Sequence, residues 1–112
     1  MTTVLQIVLV APQQLGNIDV SLYSVPTQTT AKVGRAVFTN TTAGAIQITA
    51  GITPGGALGP GTILISARTI APGESYVSPE LSGQVLPAGH QIHAFAAAAA
   101  AITFTASGLL IQ

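Results

Sequence analysis

Short runs of β-branched residues, separated by turns rich in proline and glycine, recur along the whole 112-residue chain. In the run IQITAGI, residues 46–52, apolar side chains alternate so that Ile46, Ile48, Ala50 and Ile52 share one face, which is typical of a half-buried strand. No apolar period of 3.6 residues lasts long enough to predict a helix. About eight such runs at this spacing predict an all-β antiparallel sandwich that is jelly-roll-like.

Turn residues set the predicted limits of these strands. Pro72 and Gly73 occupy the second and third positions of a predicted type II turn, and Pro87 and Gly89 fit a type I turn at residues 86–89. Strands are predicted at residues 4–10, 20–25, 32–41, 46–52 and 62–67, with further strands around these two turns. The inner face is predicted to be drawn from Ile46, Ile48, Ile52, Ile63, Ile65, Ile92, Ile102 and Phe104, and Phe38 is also expected in the core.

Six consecutive alanines, residues 96–101, raise the alternative of a short helix, because alanine has the highest helix propensity. A helix this short is marginal in water, since its nucleation is costly. No N-cap residue stands before Ala94, and β-type residues lie on both sides. We predict a strand to about Phe95 or Ala97, a tight alanine turn, and a last strand from about Ala100 to Ala106 or beyond.

The chain carries very little charge. Charged residues make up 5% of it, against roughly 25% in a typical domain, while 48% of its residues are hydrophobic. Three basic residues are too few for the positive face of a nucleic-acid-binding protein or for a polybasic membrane patch. A neutral, weakly charged surface is poorly protected against self-association, which favours a component of an assembly over a freely diffusing monomer. A neutral domain covered by Thr, Ser and Gln is the alternative.

The length of 112 residues predicts one domain, residues 1–112. Cysteine is absent, which excludes a disulfide framework, a zinc thiolate site and a thiol nucleophile. The opening MTTVLQIVLVAP lacks a positive n-region, and its apolar run is interrupted by Gln6, so we expect a first strand rather than a signal peptide. That run is also too short to span a bilayer.

Two histidines and three carboxylates are the candidates for a metal site. His90 and His93 would lie on one face of a helix but on opposite faces of a strand. The sequence places no carboxylate beside them, whereas a metal site needs three or four convergent ligands. We therefore expect a turn histidine and a strand histidine, with no metal, cofactor or catalytic site. Whether either histidine has a role is left open by the sequence.

Three arrangements of functional residues can be considered from the sequence. Ser75 or Ser78 with His90 and Asp19 would form a triad, but the pattern G-x-S-x-G is absent. Glu74 and Glu80 could pair as in glycoside hydrolases, although solvation is the simpler role.

The third arrangement is a phosphate-binding loop. The segment containing Gly55, Gly56 and Gly59 lacks the Lys-Ser/Thr that holds phosphates, so an ordinary loop is expected. A chain with so few titratable groups is predicted not to be an enzyme.

The order of features resembles small β-sandwich proteins encoded among the structural genes of tailed bacteriophages. The resemblance rests on LYSVPTQTTAKVGRAVFTNTTAGAIQIT, TIAPGESYVSPELSGQVLPAGHQIHA and AAAITFTASGLLIQ, and covers roughly residues 20–112. It implies a non-enzymatic virion protein, either a head decoration (cement) protein or a tail, collar or fibre-base protein. It further implies a small oligomer, with a trimer favoured, and assembly with the major capsid protein or with tail or collar proteins.

A receptor- or glycan-binding module is a hypothesis from another class. It would require exposed rings at Tyr23 or Tyr76, which lie near predicted strand ends where a hydroxyl can reach water. For the assembly hypothesis, the segments expected at contacts are the loop 53–61, the alanine turn, and the terminal segments 1–10 and 109–112.

Overall fold

A computed structural model describes residues 3–112, which form nine strands and no helix. The strands are β1 (Val4–Gln14), β2 (Val20–Ser24), β3 (Thr30–Asn40), β4 (Ile46–Thr53), β5 (Ile63–Ile70), β6 (Ser75–Val77), β7 (Val85–Leu86), β8 (Gln91–Ala96) and β9 (Ile102–Ile111). In the described part of the chain there is no segment suited to crossing a membrane as a helix.

The strands form two antiparallel sheets that pack as a sandwich. The five-stranded sheet has the order β1-β9-β3-β6, with β7 also paired to β3, and the four-stranded sheet has the order β2-β8-β4-β5. When β6 and β7 are counted as one interrupted strand, consecutive strands alternate between the sheets except for β4 and β5, which pair within the four-stranded sheet, and this order is that of a jelly roll. The predicted fold class is therefore confirmed, and the predicted count of about eight differs from nine by that interruption.

Several strand limits differ from those predicted, and bulges explain the largest differences. The first strand was predicted to end at Val10 but continues to Gln14, because β1 is an edge strand and accommodates Pro12 within the register shift between Val10 and Gln13. The strand predicted at residues 62–67 runs from Ile63 to Ile70, past Ala67, whose left-handed φ of 48° accompanies a register shift.

The side chains between the sheets form one apolar core. Five of the eight predicted inner-face residues are buried: Ile48, Ile65, Ile92, Ile102 and Phe104. Ile46 and Ile52 are half-buried against that core, and Ile63 is half-buried at the start of β5. The rings of Phe38 and Phe104 lie side by side at a centroid distance of 4.5 Å, and neither is exposed.

A buried amide fastens the two sheets together at one corner. Asn40, at the end of β3, donates from Nδ2 to the carbonyl oxygen of Ile70 at the end of β5 (2.9 Å) and to that of Gly44 (2.8 Å). Its Oδ1 accepts the N–H and the hydroxyl of Thr42. Because Asn40 is fully buried, this complete set of partners offsets the cost of removing the amide from water.

The alanine segment forms a turn, as predicted. β8 ends at Ala96, β9 begins at Ile102, and Ala100 adopts a left-handed φ of 57°. The turn is held by the N–H of Ala100, which donates to the carbonyl oxygen of Leu15.

Candidate interaction surface

The structure pairs Asp19 with His93, whereas the triad considered from the sequence used His90. Nδ1 of His93 lies 2.7 Å from Oδ1 of Asp19, and Nε2 lies 2.8 Å from Oε1 of Gln91. His93 is 5% exposed and lies on the side of the four-stranded sheet that faces away from the core, since its neighbours Ile92 and Ala94 point into the core. Both ring nitrogens therefore lie within hydrogen-bond distance of side-chain oxygen atoms.

The same carboxylate holds the glycine-rich loop. Oδ2 of Asp19 accepts the N–H of Leu58 at 2.8 Å. Burial alone would raise the pKa of the Asp19 carboxyl, but the hydrogen bonds from Leu58 and His93 and the charge of the ring outweigh it and lower the pKa. Sequence reasoning missed this arrangement, because residues 19 and 93 come together only through the pairing of β2 with β8.

Two further amides of the loop are also occupied. Oγ1 of Thr53 accepts the N–H of Gly55, and Oγ1 of Thr62 accepts the N–H of Gly59. A phosphate-binding loop needs such N–H groups free to face the ligand. The two threonine hydroxyls and the Asp19 carboxylate thus hold three of the loop amides within the chain.

A second polar cluster surrounds Tyr76 on β6. Its hydroxyl donates to Oε1 of Glu80 at 2.5 Å, and the hydroxyl of Ser78 donates to the same oxygen at 3.2 Å. The Arg68 guanidinium lies 4.0 Å from the centre of the Tyr76 ring, a cation–π contact. The hydrogen bond from Tyr76 lowers the pKa of Glu80, and burial together with Glu80 raises the pKa of Tyr76.

None of the catalytic arrangements considered from the sequence is assembled within residues 3–112. Ser78 bonds to Glu80 rather than to a histidine, and Ser75 bonds to Thr39. The Glu74 carboxylate accepts the N–H of Ala71 within its own turn and makes no hydrogen bond with Glu80. His90 lies at the start of β8 with its buried Nδ1 unpartnered. The described residues contain no cluster of three metal-ligating side chains.

Neither tyrosine is fully exposed, as a ring that stacks on a sugar would be. Tyr23 and Tyr76 are both half-buried against the apolar core, and Arg68 covers one face of Tyr76. Burial raises the pKa of Tyr23. The arrangement gives the glycan-binding hypothesis no support from these rings.

The outward-facing side of the five-stranded sheet exposes four valines. Val4 and Val8 on β1, Val77 on β6 and Val85 on β7 are 56%, 57%, 45% and 56% exposed. The ladder registers place them on the same face as half-buried Leu109 and Ile111 of β9 and exposed Lys32 and Arg35 of β3. We call this surface the outer face. An exposed apolar sheet face of this kind is typical of a protein–protein contact.

A shallow depression of about 470 Å³ lies on the outer face where two glycines meet. A Cβ atom added to Gly108 would lie 1.9 Å from the carbonyl oxygen of Lys32, so β9 and β3 approach each other more closely there than a side chain permits. The depression is lined by Gln6, Ile7, Val8, Gly34, Ser107, Gly108 and Leu109. None of these side chains is titratable, so the depression fits a contact surface better than a reaction site.

The predicted contact segments are only partly brought together. Residues 4–8 and 109–111 pair directly, with Val4 opposite Ile111 and Gln6 opposite Leu109, and both segments contribute to the outer face. Residues 1 and 2 of the predicted N-terminal contact lie outside the described residues. The loop 53–61 lies instead against the four-stranded sheet, where Leu58 bonds to Asp19.

Comparison with known proteins shows which fold the chain shares with solved structures. No protein-family model matches the chain, and no curated protein matches it by sequence. The chain resembles a chain in the structure of infectious bursal disease virus Gx strain, with 17% identity, a TM-score of 0.52, and coverage of 99% of this chain and 32% of that one.

Two further structures of the same virus give similar values. For the VP2 subviral particle the identity is 18%, the TM-score 0.50, and the coverage 98% of this chain and 32% of that one. For the virus-derived T=1 particles the identity is 14%, the TM-score 0.52, and the coverage 98% of this chain and 31% of that one. The chain thus spans about a third of the length of each of these chains, and what it shares with these viral capsid proteins is the β-sandwich fold.

Proposed function

We propose that the chain is a non-enzymatic structural protein of a virus particle, and that it serves as a capsid decoration (cement) protein on the head of a tailed bacteriophage. The observation that carries the proposal is the outer face, with its four exposed valines and few charges. The fold shared with chains of virus particles supports the same role. The phage assignment itself rests on the sequence resemblance, since the matched particles belong to infectious bursal disease virus.

The chemistry of the surface suits such a role. A standard protein–protein interface buries about 1,600 Å² in total, and many identical copies multiply a modest gain at each site. Few charges lower the desolvation cost of burying the surface. Alanine, threonine and valine side chains also lose little rotamer entropy when they become buried.

The proposed partners are other virion proteins, the major capsid protein first among them. The same proposal includes a single sandwich domain and a homo-oligomer, with a trimer favoured by the resemblance. It includes no nucleic-acid or membrane partner. The alternative location in the virion is the tail, the collar or the fibre base. A receptor- or glycan-binding module is less favoured, because Tyr23 and Tyr76 are both half-buried.

The direct test is to count and locate the chain in purified particles by quantitative mass spectrometry and cryo-electron microscopy. We expect a copy number that matches the subunits of the shell and density that bridges them. A much smaller number, with density at a vertex or on the tail, would favour the collar or tail alternative. Absence from the particle would refute the proposal.

A binding assay identifies the surface. Val77→Asp places a charge on the outer face, whereas Leu64→Asp places one at a residue of β5 in the other sheet that is 39% exposed. We expect Val77→Asp to reduce binding to particles that lack the chain by about tenfold or more, because an unpaired carboxylate becomes buried at the contact. Leu64→Asp should bind as the unmodified chain does; the reverse order would show that the four-stranded sheet makes the contact.

A further inference from the structure

One edge of β1 carries backbone groups that no other strand uses. Thr3 and Gln112 exchange N–H···O bonds of 2.9 and 2.8 Å. Hydrogen-bonded and non-hydrogen-bonded pairs alternate along an antiparallel ladder. The N–H and C=O groups of Val4, Gln6 and Val8 therefore point away from β9, and within residues 3–112 no strand pairs with them.

The other sheet edges of the described chain are protected. β6 and β7 are three and two residues long, and β2 has five residues and a register shift. β5 carries Arg68 and the left-handed Ala67. Short strands, charges and bulges are the features by which proteins prevent pairing between sheet edges.

β1 has none of these protections over its first part. It is eleven residues long and contains no charged residue. Its first register shift comes after Val8, and Pro12 lies further on. Residues 4–8 thus form an uncharged edge without a register shift, along which Val4, Gln6 and Val8 present unused backbone groups, and such an edge is the surface that an extended strand recognises.

We propose that this edge binds the same edge of a second copy of the chain, antiparallel, about a two-fold axis at Gln6. In that register Val4 of one copy lies opposite Val8 of the other, and the two Gln6 residues face each other. All three residues present free N–H and C=O groups, so each of the three pairs exchanges two backbone hydrogen bonds. A two-fold axis makes any such antiparallel pairing self-complementary.

The side chains support a second copy as the occupant. A strand that pairs with itself places like residues near one another, and like charges directly opposite are destabilising. β1 avoids this because it is neutral. Val4 and Val8, 56% and 57% exposed in one copy, become apolar cross-strand pairs on the joined outer face. The inference stands on the geometry of β1 and does not depend on the proposed place in a virion; it replaces the trimer that the sequence resemblance implies with a two-fold dimer.

The test is the mass of the full chain in solution, measured by sedimentation equilibrium at micromolar concentrations. We expect a dimer of twice 11.2 kDa. Gln6→Lys and Gln6→Glu each put two like charges together at the axis, so each should raise the dimer dissociation constant about tenfold or more. An equimolar mixture of the two variants should dimerise again, because opposite charges then meet.

Gln13→Lys is the matched control, since it adds the same charge at an exposed position on the same strand beyond both register shifts. It should dimerise as the unmodified chain does, and circular dichroism should report the same sheet content for all variants. A monomeric or trimeric unmodified chain would overturn the proposal. So would a Gln6→Lys variant with an unchanged dissociation constant, or a mixture of Gln6→Lys and Gln6→Glu that stays monomeric.

Discussion

Oδ1 of Asp19 lies 2.7 Å from Nδ1 of His93, although 74 residues separate them in the sequence. The other oxygen of the same carboxylate accepts the N–H of Leu58, 39 residues away. Asp19 thus joins the segment before β2, the strand β8 and the loop 53–61. The only aspartate of the chain serves to fasten a loop to a sheet.

We expect Asp19→Ala to lower the free energy of unfolding at pH 7 by about 1–3 kcal/mol, because two donors lose a charged acceptor. The pKa of Asp19 is lowered in the folded protein from 3.8, so its contribution is present above pH 3.8 and is lost as pH falls through the folded-state pKa. Urea denaturation of both proteins from pH 7 to pH 2 measures the difference. A difference that stays constant over this range would contradict the assignment.

The Tyr76–Glu80 hydrogen bond makes a prediction about one carboxyl group. Tyr76→Phe removes the donor but keeps the ring under Arg68, so the pKa of Glu80 should rise toward its ordinary value. The loss of a hydrogen bond to a charged group should also cost about 1.5–3 kcal/mol of stability, less where water reaches Glu80. Titration of the Glu80 carboxyl carbon by NMR tests the shift. An unchanged titration would mean that the hydrogen bond from Tyr76 does not set the pKa of Glu80.

Two neighbouring glycines should respond differently to alanine. Gly108→Ala places a Cβ 1.9 Å from the Lys32 carbonyl oxygen and should destabilise the chain by at least about 1–3 kcal/mol, because backbone must move. Gly34→Ala meets its nearest atoms at 3.4 and 3.6 Å, which are ordinary contacts, and should be nearly neutral. Thermal unfolding compares them. Equal effects would show that the close approach of β3 and β9 is not what Gly108 is needed for.

The paired phenyl rings should carry much of the core stability. Phe38→Ala removes a fully buried ring stacked on Phe104 and should cost about 3–5 kcal/mol. Val77→Ala, at a side chain 45% exposed on the outer face, should change stability by less than about 0.5 kcal/mol. Chemical denaturation midpoints give both values, and a small effect at Phe38 would place the core elsewhere.

The sequence predicted those elements whose cause is local. Alternation in residues 46–52 and the alanine turn before Ile102 could be read from neighbouring residues, and the structure agrees with both. The extension of β1 past Pro12 could not, because it depends on β1 being an edge strand. The pairing of Asp19 with His93 also carries no local signal, since it arises only when β2 pairs with β8.

The outer face could be anticipated in part. The sequence predicted contacts at the terminal segments 1–10 and 109–112, and residues 4–8 and 109–111 of these segments pair within the outer face. The contributions of Val77 and Val85 depend on the short strands β6 and β7 pairing with β3, which no periodicity in so few residues can predict.

The pairing of Val4 with Ile111 has a consequence for synthesis on the ribosome. β1 is synthesised before its partner β9, so the nascent chain presents β1 with both edges open until β9 has left the exit tunnel. Such an uncharged strand is prone to associate with neighbouring nascent chains on a polysome. Slow codons between the two strands would lengthen this exposure, and a chaperone that binds extended apolar segments would shorten it.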